Sequence, residues 1–403
     1  MRGWMRGRAR GALAIGAAVV GATMVAAPTV PASAASATTP NWRAVATAAT
    51  TTDPVNLLNT VDCAAASACM AVGAGQHNNM NTFQGSGPAR PLAQWWNGTS
   101  WRALHPTTPA GAYSSGFNGV DCSSGLTCTA VGWVRSTAKG WDRPLVETWT
   151  DGTWRVDPAP ATGADPGGAL MAISCPTATG CTAVGFMYSS SAERPMAAAS
   201  VTDGWRTETT DPVSADSAFN DVSCAKPGVC MATGNTFGYT TFNQPIGQYR
   251  NGKDWVVATP PEVAGSAGGM GTAVSCVATI CAVTEDNYAG SLQHPTESQA
   301  LDVYRAGRYT QVANPGGRVA SLNSVSCPSV TDCTIVGFSG NFQTQVARIW
   351  NGTSVRNELF PGHAGFSQPV SVSCLSATSC VSIGLDSPNN DGATASPFSD
   401  IRT

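Results

Sequence analysis

The residues of this chain that could carry chemistry are few and scattered. Four histidines, His77, His105, His294 and His363, stand in unrelated contexts. None has the H-E-x-x-H spacing that sets two imidazoles on one helix face for zinc. No G-x-S-x-G presents a serine on a nucleophile elbow. No glycine pattern joins a strand to a helix to cradle a phosphate, so no cofactor is expected. Carboxylates remain. Glu285-Asp286 and Asp302 would supply a paired acid and base for glycoside chemistry if the fold brought them together. Asp386 and Asn389-Asn390-Asp391-Gly392 have the composition of a calcium loop without the ligand spacing of an EF-hand, so no metal site is assigned.

Cysteine is the chemically reactive type with a plan. The 14 cysteines fall into the pairs Cys63/Cys69, Cys122/Cys128, Cys175/Cys181, Cys224/Cys230, Cys276/Cys281, Cys327/Cys333 and Cys374/Cys380. Six read C-x5-C and one reads C-x4-C. No histidine flanks them and no C-x2-C occurs, which disfavours metal or redox chemistry and favours one disulfide per pair. A seven-residue ring closed this way contributes roughly 2 kcal/mol in the chain-entropy model.

The pairs also set a repeat. The first cysteines lie 59, 53, 49, 52, 51 and 47 residues apart, each preceded by Val-Asp, Val-Ser or Ile-Ser. A short apolar run follows the second cysteine, as in Ala71-Val72-Gly73 and Ala183-Val184-Gly185. Then come a polar loop of variable length and a second apolar run, such as Pro91-Leu92-Ala93-Gln94-Trp95-Trp96. Asn97-Gly98, Asp151-Gly152, Asp203-Gly204, Asn251-Gly252 and Asn351-Gly352 mark hairpin turns, because these dipeptides accept positive φ. A last strand follows, often led by a tryptophan such as Trp101, Trp154, Trp205 or Trp255. Four short strands (a, b, c, d) cannot bury both faces of one sheet, but seven such sheets packed around an axis can. The expected fold is therefore all-β, a seven-bladed β-propeller over residues 41–403. Asn41-Trp42-Arg43-Ala44-Val45 reads as a fourth strand without its first three, and the last unit lacks its fourth, so the N-terminal strand should close the last blade.

Ahead of the repeat, residues 1–34 read as a secretory signal peptide and 35–40 as a short linker. Arg2, Arg6, Arg8 and Arg10 precede an uncharged apolar stretch and then the small-x-small pattern Ala32-Ser33-Ala34. Cleavage there lowers Lys plus Arg from 22 to 18 against 25 Asp plus Glu, for a net charge of −7. A mildly acidic, extracellular chain without a membrane span is expected, and nucleic acid is not expected as a partner.

In this fold the cysteine hairpins share one rim with the Asn-Gly turns. The b–c loops and d–a links share the other, and they carry the variation, so function is expected there. The candidate ligand-binding residues are His77, Asn78, Asn79, Trp141, Tyr188, Tyr239, Asn287 and Tyr288. Amides and hydroxyls suit sugar hydroxyls, and aromatic faces suit the C–H side of a sugar ring. Trp141 stands outside the repeat and is the first aromatic to test. The units V-S-C-x5-C-x-A-V-G followed by P-L-A-x-x-W-N-G-x-x-W resemble a family of exported actinobacterial β-propellers with kelch-like blade size. Some propellers of this kind are similar to lectin subunits of secreted Streptomyces toxin particles. The resemblance implies a seven-bladed fold, and the loop side chains make a secreted, non-catalytic protein binding extracellular or cell-surface carbohydrate the expected function. An exported protein partner, or polysaccharide lyase or hydrolase action at the central funnel, are the alternatives. The fifth unit departs from the pattern at Cys276/Cys281 and marks a special place.

Overall fold

A computed structural model describes residues 42–48, 55–76, 88–189, 192–213, 216–238, 240–292, 294–312, 319–339, 344–363, 365–387 and 395–403. The leader 1–34, the linker 35–40, His77, Asn78, Asn79, Tyr239 and Asn389-Asn390-Asp391-Gly392 lie outside these residues. Among the described residues, twenty-eight strands, β1 to β28 in chain order, form seven four-stranded antiparallel sheets. Blade one holds β2 (Val55–Ala65), β3 (Ala68–Gln76), β4 (Arg90–Trp96) and β5 (Trp101–Leu104). Blades two, three, four and six repeat that order over 114–156, 167–208, 217–257 and 319–358. Blade five holds β18 (Gly268–Val277), β19 (Ile280–Ser291), β20 (His294–Arg305) and β21 (Arg308–Val312). Blade seven is completed as the sequence demands: β26 (Phe366–Ser376), β27 (Ser379–Ser387) and β28 (Ser396–Arg402) accept β1 (Trp42–Val45) as their outer strand. No described helix is long and apolar enough to cross a membrane.

The recurring Val-Ser-Cys and Val-Asp-Cys segments have a physical reason. The side chain before each first cysteine accepts the backbone N–H of the first cysteine in the next blade. Ser174 takes it from Cys224 at 3.0 Å, Ser223 from Cys276 at 2.8 Å, Ser275 from Cys327 at 2.9 Å and Ser326 from Cys374 at 3.0 Å. Ser373 takes it from Cys63 at 3.1 Å, which closes the ring onto blade one, and Asp62 takes it from Cys122 at 2.9 Å. Asp121 completes the set with the amide of Cys175. Each first strand also bulges four residues before its cysteine. At five of the seven bulges, Asn59, Asn118, Asn220, Thr272 and Asn323 donate to a carbonyl of the next blade at 2.6–2.9 Å. Met171 and Val370 hold the other two bulges.

The Gly of the Ala-Val-Gly run is required by that bulge. A Cβ at Gly73, Gly132, Gly185, Gly234 or Gly337 would fall 1.9–2.1 Å from a carbonyl oxygen of the facing strand. All seven expected disulfides are present, each within one a–b hairpin. They join Cys63 to Cys69, Cys122 to Cys128, Cys175 to Cys181, Cys224 to Cys230, Cys276 to Cys281, Cys327 to Cys333 and Cys374 to Cys380, with Cα atoms 3.9–4.0 Å apart. Asn97 and Asn351, which begin glycosylation-like Asn-Gly-Thr triplets, use their side-chain oxygens to accept the N–H groups of Thr99 and Ser100 or Thr353 and Ser354 at 2.8–3.1 Å.

Candidate binding face

The b–c face presents aromatic pairs at the joints between blades. Trp141, in the b–c loop of blade two, is 47% exposed, and its ring lies 4.8 Å from that of Tyr188 at the end of the second strand of blade three. Arg135 holds Asp142 in a bidentate pair at 2.7 and 2.9 Å beside them. Trp141 is not alone in the repeat. Phe242, in the b–c loop of blade four, stacks on Tyr288 of β19 at 5.8 Å with planes 11° apart. The two seats share a backbone design. Gly168 N–H donates to Asp142 O at 2.8 Å, and Gly269 N–H donates to Asn243 O at 2.7 Å. A Cβ at Gly167 would meet Trp141 Cβ at 2.9 Å, and one at Gly268 would meet Phe242 Cβ at 2.6 Å. The Gly-Gly pairs opening those blades are thus the sequence signal for both seats. Trp141 lies 13 residues past Cys128 but Phe242 lies 12 past Cys230, which hides their equivalence in the sequence.

The cysteines take no part in this face. Cys128, Cys181, Cys230 and Cys333 are buried in the apolar packing of blades two, three, four and six. Bonded to Cys122, Cys175, Cys224 and Cys327, they hold hairpins closed and offer no thiol to a ligand or a metal. The same holds for Cys69, Cys281 and Cys380 in the other three blades.

Asn287 does not join this surface either. It is 2% exposed and lies within the joint between blades four and five. Glu285 and Asp302 are both 0% exposed, and the register makes them diagonal neighbours: Val283 faces Asp302 and Glu285 faces Ala300. Burial pushes both carboxyl groups up, Asp302 to about 7 and Glu285 to about 8. The charge of Asp302 adds to the rise at Glu285, and the neighbouring Asn287 side chain opposes it. Asp286 points to the other side of the blade, where it accepts Ser321 Oγ–H at 2.5 Å and Leu322 N–H at 3.2 Å. The expected acid pair is therefore Glu285 with Asp302, and it is closed off from any polymer.

Near the axis, Asp62 and Asp121 are partly exposed among the serines of the clasp ring. Burial and then the charge of Asp62 push Asp121 up to about 8. Both carboxyl groups are occupied in holding the backbone of the next blade, Asp62 also accepting Ser373 Oγ–H at 3.1 Å.

A second set of clamps ties the d–a links to strand c. Gln94, Glu147 and Gln248 accept the N–H groups of Ala48, Thr107 and Asp211 at 2.9–3.1 Å. In blade seven the equivalent residue is Asp400, and it takes His363 instead: Nε2 lies 3.2 Å from Asp400 and Nδ1 3.0 Å from Asp386 Oδ2. Asp386 thus serves a histidine clamp. Burial lowers the His363 pKa, but the hydrogen bonds to Asp386 and Asp400 outweigh it and hold the imidazole up at about 9. The folded value exceeds the unfolded value of about 6.5, so this clamp stabilises fully below that pH and is lost as pH rises through about 9. Thermal melts between pH 6.5 and 9.5 are expected to show a steeper loss for wild type than for His363→Gln; equal slopes would remove the clamp from the account.

The opposite rim is less uniform than the repeat implies. A groove of about 390 Å³ runs between blades four and five, lined by Tyr249, Asn251, Val256, Thr279 and Tyr304 among others. Tyr304 and Tyr309 stand where other blades place the packing tryptophans, and their rings lie 4.9 Å apart.

No protein-family model and no curated protein matches the sequence. Solved structures match in fold. YCF48 bound to a D1 peptide superposes with a TM-score of 0.52 at 9% identity, covering 90% of this chain and 97% of that one. A protein of unknown function from Dyadobacter fermentans DSM 18053 gives 0.52 at 12% identity, covering 90% and 99%. The six-bladed Aleuria aurantia lectin gives 0.42 at 11% identity, covering 76% and 96%. At these identities the likeness is one of fold, and the chain is a seven-bladed β-propeller with one disulfide in each blade.

Proposed function

We propose that this chain is a secreted, non-catalytic protein that binds extracellular or cell-surface carbohydrate on the face formed by its b–c loops and d–a links. The observation that carries this reading is the Trp141 seat. A half-exposed indole flanked by a phenol at 4.8 Å, with a guanidinium–carboxylate pair beside it, matches a pyranose: a ring face to stack on and planar polar groups for its hydroxyls. Seven disulfides and a leader of signal-peptide type support an oxidising, extracellular setting. The second reading is a protein-interaction platform, favoured by the peptide held by YCF48 on a comparable propeller. The Glu285–Asp302 pair, buried on all sides, gives no support to polysaccharide cleavage there.

A printed glycan array followed by calorimetry on its strongest soluble ligand tests the proposal. Trp141→Ala is expected to weaken binding at least tenfold while the melting temperature moves by less than about 2 °C, since exposed positions contribute little to stability. Unchanged binding would reject the seat. A large drop in melting temperature would make Trp141 a packing residue.

A further inference from the structure

Blade five exchanges residue types at a cross-strand pair that the other six blades keep constant. Four residues past the second cysteine those blades carry glycine: Gly73, Gly132, Gly185, Gly234, Gly337 and Gly384. These face Leu58, Phe117, Leu170, Phe219, Leu322 and Pro369. In blade five the pair is Glu285 opposite Gly271. A carboxyl group stands where a buried apolar side chain fills the joint elsewhere. Gly271 leaves the room, since a Cβ there would lie 1.8 Å from Thr233 Oγ1 of blade four.

Asp302 departs from its repeat in a complementary way. Gln94, Glu147 and Gln248 at this place accept the N–H of the residue six past the leading tryptophan of the previous blade. Counted from Trp255, that residue is Pro261, which has no N–H to give. None of the four oxygens of Glu285 and Asp302 has a hydrogen-bond partner of good geometry among the described residues. Neither group forms an ion pair there. Asn287, next along the same face of β19 and close enough to act on Glu285, is 2% exposed with an unpartnered amide nitrogen. The shape of an amide places its oxygen or its nitrogen inward equally well. Tyr309, whose hydroxyl donates to Ala258 O at 2.7 Å, stands beside both carboxyl groups.

Two buried carboxyl groups with no counter-charge are neutralised by protons or by a cation. We propose that Glu285, Asp302 and Asn287 form an internal site between blades four and five for a hard, oxygen-preferring cation of the calcium class. The two carboxyl groups, and the Asn287 amide once its oxygen is turned inward, offer only oxygens, and no free thiol is present among the described residues, which suits calcium over softer metals. The bound ion would pin the β19–β20 hairpin, whose end carries the Tyr288 seat.

The test uses the full chain dialysed against chelator at pH 7.5, titrated with calcium chloride and, separately, magnesium chloride. One calcium per chain is expected, with weaker magnesium binding and a melting temperature raised by about 3 °C at saturating calcium. Glu285→Gln and Asp302→Asn should each weaken calcium binding at least tenfold. Asp391→Asn, in the calcium-like loop sequence, should leave it unchanged. Hydrogen exchange of the wild type gives a readout that needs no variant: calcium should protect residues 280–305 and spare the other blades. Absence of calcium binding overturns the proposal and leaves the pair sharing a proton. Binding that survives in both carboxylate variants, is lost in Asp391→Asn, or protects all blades equally also overturns it. None of these outcomes bears on the Trp141 seat.

Discussion

A chain carrying Trp42→Ala is expected to melt about 5 °C below wild type, and one lacking β1 altogether to associate into oligomers. Trp42 is 3% exposed, packs its ring 4.8 Å from Phe360 and belongs to a cluster with Val336, Ala347, Val372 and Cys380. Truncating a buried tryptophan costs about 3–5 kcal/mol. In a domain of this length each kcal/mol moves the midpoint by only about 1–2 °C. Removing the whole strand also strips the partner from β28, pairing Trp42 with Arg402 through Val45 with Ser399, and a bare edge of that kind recruits other chains. Thermal melts and sedimentation decide the matter. A truncated chain that stays monomeric with an unchanged midpoint would mean the ring does not depend on its seam.

Gly185→Ala is expected to be worse than its size suggests, lowering stability by several kcal/mol or preventing folding. The new Cβ would fall 2.1 Å from Ala169 O and 3.0 Å from Leu170 Cα, both backbone atoms that cannot rotate away. The bulge would have to open, and with it the bond that Asn118 of blade two donates to Leu170 O at 2.8 Å. Gly152→Ala is the control. It has φ +89° but nothing within 4 Å of the added atom, so its cost is about 1 kcal/mol of backbone strain. Equal melting temperatures for the two variants would show that the bulge yields easily and that the Ala-Val-Gly run has another cause.

Much of the architecture was legible because it rests on periodic residue types. Cysteine spacing, Asn-Gly turns and the stray Trp42 strand imply seven closed blades without any knowledge of register. The pairing of Cys128, Cys181, Cys230 and Cys333 with their near neighbours follows from spacing alone, but their burial does not, since it depends on the blade packed over each hairpin. The residues that join blades were visible as Val-Ser-Cys but not interpretable, since the bond each serine makes crosses roughly fifty residues of chain. Register also hid the meaning of blade five. Matching Ala282-Val283-Thr284 to Ala-Val-Gly places the departure one residue early. Counting from Cys281 puts Glu285 in the glycine's place, and only the pairing shows Gly271 facing it. Of the candidate ligand residues, Trp141, Tyr188 and Tyr288 lie at the loop face, whereas Asn287 is internal because strand alternation turns it toward blade four. Phe242 has no signal of its own in the sequence, because it shares its loop with Phe237 and Tyr239.

None of the seven cystine links joins one blade to another; each staples a single hairpin, and the blades hold one another by hydrogen bonds, ion pairs and packing. A protease that nicks one b–c loop therefore severs the chain without severing the ring, because both fragments remain gripped by neighbours on either side. Such a molecule would run as two pieces on a denaturing gel while keeping its shape in solution.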